Sequence, residues 1–152
     1  MEHTMERDNE AVVRRLIDEF VNAGEYDVTD ELFADGYVRH DPSASATADT
    51  ETQGPASFRE MIEGQRTAFP DLEVTIDEVC ADGDLVTFRG TSRGTHEGTF
   101  MGIDPTGETI EVTGLAMHRV QDGKLTETWA NWDTLGLLEQ LGASPVEREH
   151  PA

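Results

Sequence analysis

Among 152 residues there is one cysteine, Cys80, and one lysine, Lys124. A single cysteine rules out an internal disulfide and fits a reducing compartment, so a cytoplasmic location is expected. The apolar runs are only a few residues long, too short to span a membrane. The opening MEHTMERDNE has no apolar segment of the kind a secretory leader requires. Basic residues are scarce as well: 11 Lys and Arg stand against 32 Asp and Glu, for a formal charge of −21. With no basic stripe to neutralise phosphates, nucleic acid is excluded as a partner.

The acids are spread along the whole chain and not gathered into a tail. They can serve a basic partner, or they can form the solvated, lysine-poor surface of proteins from salt-accumulating halophiles. The even spread favours the second reading. Stability is then expected to fall at low ionic strength, where self-repulsion is least screened. The length fits one domain, residues 1–152, with a folded core of about 8–142 and flexible acidic termini.

Leu, Val, Ile and Phe recur at regular intervals, which marks a folded chain. Val12, Val13, Leu16, Ile17, Phe20 and Val21 form one helical stripe, capped by Asp8 or Asn9 and ended near Ala23 by Gly24. A short helix is expected over about Val28–Phe33, and a short strand over Tyr37–His40. Asp41–Gly54 has no large apolar residue and reads as a solvated loop. Pro55 then opens a third helix whose inner face carries Phe58, Met61, Ile62, Gln65 and Phe69. Gln65 stands out on that stripe; it either hydrogen-bonds within the core or faces a cavity.

From Leu72 the period changes to two. Strands are expected over Leu72–Ala81 and Leu85–Thr95, followed by a glycine-rich connection, Gly94–Gly107. A long hairpin turned by Asp122-Gly123 comes next, and then a last short helix over Thr134–Gln140. Helices and strands are segregated, which predicts an α+β fold with three N-terminal helices against a curved antiparallel sheet.

The hairpin ends in Trp129, Asn131, Trp132 and Asp133, the composition of a pocket wall. Counting outward from a two-residue turn pairs His118 with Glu127, Ala116 with Trp129, Gly114 with Asn131 and Val112 with Asp133 on one face. That count puts Leu115, Met117 and Trp132 on the other face, where an exposed apolar surface implies a homodimer through the sheet. A β-bulge would flip part of this register.

The segments VRHDP (38–42), FPDLEVTIDEV (69–79), GTHEGTFMGIDPTG (94–107), DGKLTETWANWD (122–133) and LLEQLG (137–142) resemble, in order, those of the SnoaL-like polyketide cyclases. That family lies within the nuclear-transport-factor-2-like superfamily, with ketosteroid isomerases and scytalone dehydratases. The resemblance covers nearly the whole chain. It implies a cone-shaped α+β barrel with an internal pocket and cofactor-free intramolecular aldol ring closure. It also implies a catalytic acid/base at the aspartate that ends W-x-x-x-D, here Trp129 to Asp133, and a pocket position for His40.

Each candidate has a plainer alternative. Asp133 is either a desolvated proton carrier or the N-cap of the helix at Thr134. His40 is either a pocket-rim donor or an exposed loop histidine. His118 either relays protons with Glu127 or simply bonds to it across the strands. Trp129 and Asn131 are either a pocket wall and amide donor or ordinary core, and His96 can line the pocket mouth. The five histidines lack the paired spacing of zinc sites, so neither metal nor cofactor is expected. The ligand implied is a small apolar or carbonyl-containing metabolite, either ring-closed or isomerised with Asp133 as base and His40 or Asn131 as oxyanion donor, or held without chemistry by a binding protein of the same fold.

Overall fold

The computed structural model describes residues 2–42 and 51–143. Most of the expected 41–54 loop and the C-terminal tail beyond 143 lie outside the described residues. The fold is α+β, with helices laid across the concave side of one curved six-stranded sheet.

Helix α1 (Glu2–Arg15) starts earlier than the sequence suggests and continues as a π-helical segment over Leu16–Asn22. Asn9 is no cap: it lies inside the helix, 6% exposed, and its side-chain amide donates to the Gly83 carbonyl in a distant turn. The π segment buries Leu16, Ile17, Phe20 and Val21. Arg66 donates to the carbonyls of Val21 and Asn22, which the helix end would otherwise leave without donors. A 3-10 turn (Tyr26–Val28) leads into α2 (Thr29–Leu32). Helix α3 (Pro55–Ala68) has proline in its first turn and stops before Pro70, since the residue preceding a proline disfavours helical backbone.

The strands are β1 (Phe33–His40), β2 (Glu51–Gln53), β3 (Glu73–Asp82), β4 (Leu85–Thr95), β5 (Thr109–Gln121) and β6 (Lys124–Trp132). They lie in the order β2-β1-β6-β5-β4-β3. The four long strands form an antiparallel meander, while β1 runs parallel to β6. Helix α4 (Thr134–Gln140) follows β6 directly. One buried cluster joins Leu16, Phe20, Phe33, Tyr37 and Phe58 to the sheet. A second joins Phe69, Leu72, Ile110, Val112 and Leu141 near α4.

The β5–β6 hairpin turns at Asp122-Gly123, as expected, with φ values of 52° and 78°, the left-handed geometry of a tight hairpin turn. Its register breaks after two pairs. Gln121 faces Lys124 and Val120 faces Leu125, but Arg119 faces Glu127, leaving Thr126 as an extra residue. This is a β-bulge, which inserts one residue into one strand and shifts every later pairing. His118 therefore pairs with Thr128, Met117 with Trp129, Ala116 with Ala130 and Gly114 with Trp132.

The two tryptophans exchange faces relative to the unbulged count. Trp132 lies inside and Trp129 outside, beside Met117.

Candidate active site

Period-two geometry sets the inner wall. On β1, Tyr37, Arg39 and the following Asp41 are buried, while His40 between them is only partly so. Arg39 pairs with Thr128 on β6, and Thr128 pairs with His118 on β5. Three adjacent strands thus hold Arg39, Thr128 and His118 in one row across the concave face. Without the bulge, His118 would face Glu127 instead.

Arg39 and His118 of this row border a cavity of about 370 Å³. Its walls are mainly apolar: Leu16, Ile17 and Val21 from the π segment, Phe58 and Met61 from α3, and Phe88, Ala116 and Trp132 from the sheet. Phe100, Met101 and Leu137 also line it, together with the polar residues Gln65, Ser92 and Thr134. The charged side chains on its wall are Arg39, Asp41 and Glu60.

Arg39 and Asp41 form an ion pair, with Arg39 Nη2 3.1 Å and Nε 3.3 Å from Asp41 Oδ2. Both side chains are 8% exposed. The guanidinium also lies 4.2 Å from the centre of the Phe58 ring, a favourable cation–π placement. His118 is 2% exposed and stacks on Phe88 with ring centres 5.6 Å apart. Its Nδ1 is 2.9 Å from Thr128 Oγ1. Its Nε2 is buried with no hydrogen-bond partner. Burial, aided by the nearby Arg39 charge, pushes the imidazole pKa down from 6.5 to about 3, so the ring is neutral at physiological pH.

The other residues singled out in the sequence are dispersed. Gln65 does face the cavity, and His118 lines it. His40 turns to the outer surface, where Nε2 meets Glu127 Oε2 at 2.7 Å and the ring stacks on Trp129 at 5.5 Å. Trp129 is therefore an outer-face residue, with Arg119 over its indole at 5.6 Å. Asn131 is exposed on that face beside a shallow depression it shares with Leu115 and Asp133.

Asp133 is exposed, and its Oδ1 accepts the Gly136 N–H at 2.9 Å as the N-cap of α4. His96 is fully buried but off the cavity wall. Its Nδ1 accepts the Thr106 N–H at 3.1 Å, and its ring packs on Phe69. It thereby ties together the two ends of the 96–106 loop. Among the described residues, no group of three or more His, Cys, Asp or Glu side chains could hold a metal ion. No helix among them is long and apolar enough to cross a membrane.

Arg39, Asp41 and Trp132 on the wall, and Thr128 bonded behind His118, are residues that sequence reading missed. A signal existed for the first two: if Tyr37 is core, period two carries Arg39 and Asp41 inward and His40 outward. Thr128 and Trp132 depend on the bulge, which no residue in LTETW announces.

The sequence pattern of SnoaL-like polyketide cyclases matches residues 11–141. The chain belongs to that family. Among solved structures, the SnoaL-like chain resembles IdmH of Streptomyces antibioticus, a proposed polyketide cyclase, with 32% identity, coverage of 88% of this chain and 98% of that one, and a TM-score of 0.78. A proposed SnoaL-like polyketide cyclase from a Jannaschia species is 26% identical over 92% of this chain and 95% of its own, with a TM-score of 0.80. AclR of Streptomyces galilaeus, a proposed hydroxylase, is 27% identical over 92% and 99%, with a TM-score of 0.77. No curated protein sequence matches this SnoaL-like chain. The fold thus carries more than one assigned activity, and the site must supply the argument.

Proposed function

We propose that this SnoaL-like protein is a cofactor-free cyclase or isomerase acting on a small carbonyl compound held in the internal cavity. The observation that carries the reading is a buried carboxylate, Asp41, on the wall of an apolar cavity, fixed by Arg39. A carboxylate in such a place can take a proton alpha to a carbonyl without competition from bulk water. The electron pair of the broken C–H bond passes into an enolate. In ring closure, the enolate carbon then attacks a second carbonyl carbon of the same molecule. A C–C bond forms, and the new alkoxide recovers the proton from the Asp41 carboxyl. In isomerisation the proton returns to a different carbon. Either way the atoms balance and no redox partner is needed.

The test is solvent deuterium exchange at the alpha carbon of β-keto esters, followed by NMR. Wild-type protein should accelerate exchange, and Asp41→Asn should abolish the acceleration. Equal exchange with both proteins would sink the assignment, and binding without exchange would favour a carrier of small metabolites.

We propose that two copies associate through the outer sheet face. Leu115 is 56% exposed there beside Met117 and Trp129. Arg119 and Glu127 give that face both signs of charge, which two copies related by a two-fold axis can match.

A further inference from the structure

Among the described residues, three buried side-chain atoms have no hydrogen-bond partner: the Tyr37 hydroxyl, His96 Nε2 and His118 Nε2. Of these three residues only His118 lines the cavity. A buried polar atom without a partner costs stability unless something else pairs with it. In a ligand cavity, the natural partner is the ligand.

The Thr128 contact decides what Nε2 offers. Thr128 is fully buried, and among the described residues its side chain has one hydrogen bond, to His118 Nδ1. If Nδ1 carried the proton, it would donate to Oγ1 and leave the threonine hydroxyl hydrogen buried with no acceptor. If the hydroxyl donates into Nδ1, both groups are satisfied and the ring proton resides on Nε2. We propose that His118 is a neutral hydrogen-bond donor, presenting Nε2–H to the carbonyl oxygen of the cavity ligand, with Thr128 as the residue that fixes this tautomer. The inference rests on the cavity being the site of carbonyl chemistry, as argued above.

The surroundings agree. Arg39 occupies the next place in the row, and a neighbouring cation disfavours a second ring proton. Asp41 and Glu60 are the other charged groups on the wall, and Asp41 is held by Arg39. Because the imidazole gains a second proton only near pH 3, it is a poor base at neutral pH. A neutral N–H donor needs no change of charge and is already oriented when the enolate oxygen develops its own. His118 and Asp41 thus divide the work: one holds the oxygen and the other moves the proton.

Two measurements test this. With ¹⁵N-histidine labelling and His118→Gln to assign the signal, the His118 ring should show the neutral Nε2–H pattern unchanged from pH 5 to pH 8. A neutral Nδ1–H pattern, or titration within that range, would overturn the proposal. The second measurement uses acetophenone as the probe, read by its infrared carbonyl band and its dissociation constant. In wild-type protein the band should shift to lower frequency, and His118→Leu should remove the shift and weaken binding about fivefold to tenfold. Thr128→Val should give a mixed tautomer signal and an intermediate band. Thermal melts confirm that each variant is folded, and His118→Gln, which keeps an amide donor, should recover part of the shift. A bound probe with the same band in wild type and His118→Leu overturns the donor role while leaving the proposed function standing. Exclusion of acetophenone counts against the proposed function, and the tautomer measurement then judges His118 by itself.

Discussion

The two faces of the sheet where β1, β6 and β5 meet each present a histidine, a tryptophan and an arginine, yet they do different things. Outside, His40 is paired with Glu127 and stacked on Trp129, and Arg119 covers the same indole. Inside, His118 keeps one ring nitrogen without a partner, Trp132 faces open volume, and Arg39 is bound to Asp41. The outer set is satisfied and half in water, so each of its contacts is worth little. In the inner set His118 and Arg39 are buried, and one His118 ring nitrogen has no partner. Residue type alone does not mark a site; burial and an unmet hydrogen bond beside a cavity do.

The largest effect expected from this contrast is kinetic. Asp41→Asn should lower the rate of proton exchange about 10²-fold or more, the ordinary weight of a positioned base. Asp133→Ala should change it by no more than about threefold. A large loss in the Asp133 variant with Asp41→Asn unaffected would move the chemistry to the mouth of α4.

The tryptophans supply a thermodynamic version of the same contrast. Trp132→Ala should cost about 2–3 kcal/mol in urea unfolding, since it removes an inner-wall ring. Trp129→Ala should cost less than about 1.5 kcal/mol. Comparable costs would mean that the bulge does not separate the faces as described.

The histidines differ in their dependence on pH. The folded-state pKa of His118 lies near 3, below its ordinary 6.5. Between those values the unfolded chain binds a proton at this ring that the folded chain does not. The contribution of this ring to stability must therefore fall as pH drops from about 6.5 toward 3. His118→Leu lacks this contribution, so its stability should decline less steeply with acid over that window. Parallel curves would show that the ring is not held neutral.

Smaller effects belong to the periphery. Asp133→Ala removes the α4 cap and should cost about 1 kcal/mol, read as a lower urea midpoint. On the outer face, Leu115→Asp should convert the proposed dimer to a monomer in sedimentation at molar salt. A wild-type monomer of 16.8 kDa there would remove that interface.

Much of the fold was legible because it rests on local periodicity. The stripe from Val13 to Val21, Pro55 at the start of α3 and the Asp122-Gly123 turn each point to one structure. The site was less legible because it depends on register. A single unpaired residue, Thr126, reversed the faces of everything from Glu127 to Trp132, and the penalty or gain of a bulge is set by the whole sheet. Arg39 and Asp41 were overlooked for a different reason: charged residues beside a polar loop look solvated until their ion pair is seen. His40, between them, drew the attention that belonged to its neighbours.

Gly114 on β5 opposes Trp132 so closely that a Cβ there would lie 2.5 Å from the indole. No larger residue fits unless both the ring and the Asn131 backbone carbonyl, 2.8 Å from that Cβ, give way, and the ring borders the cavity. Position 114 therefore couples the pairing of β5 and β6 to the ring that shapes the cavity. An alanine there would have to displace the indole and loosen the Gly114–Trp132 pairing, and so change the shape of the chamber without adding a chemical group to it. An engineer wanting a different molecular girth could start at this glycine, which is not itself on the cavity wall.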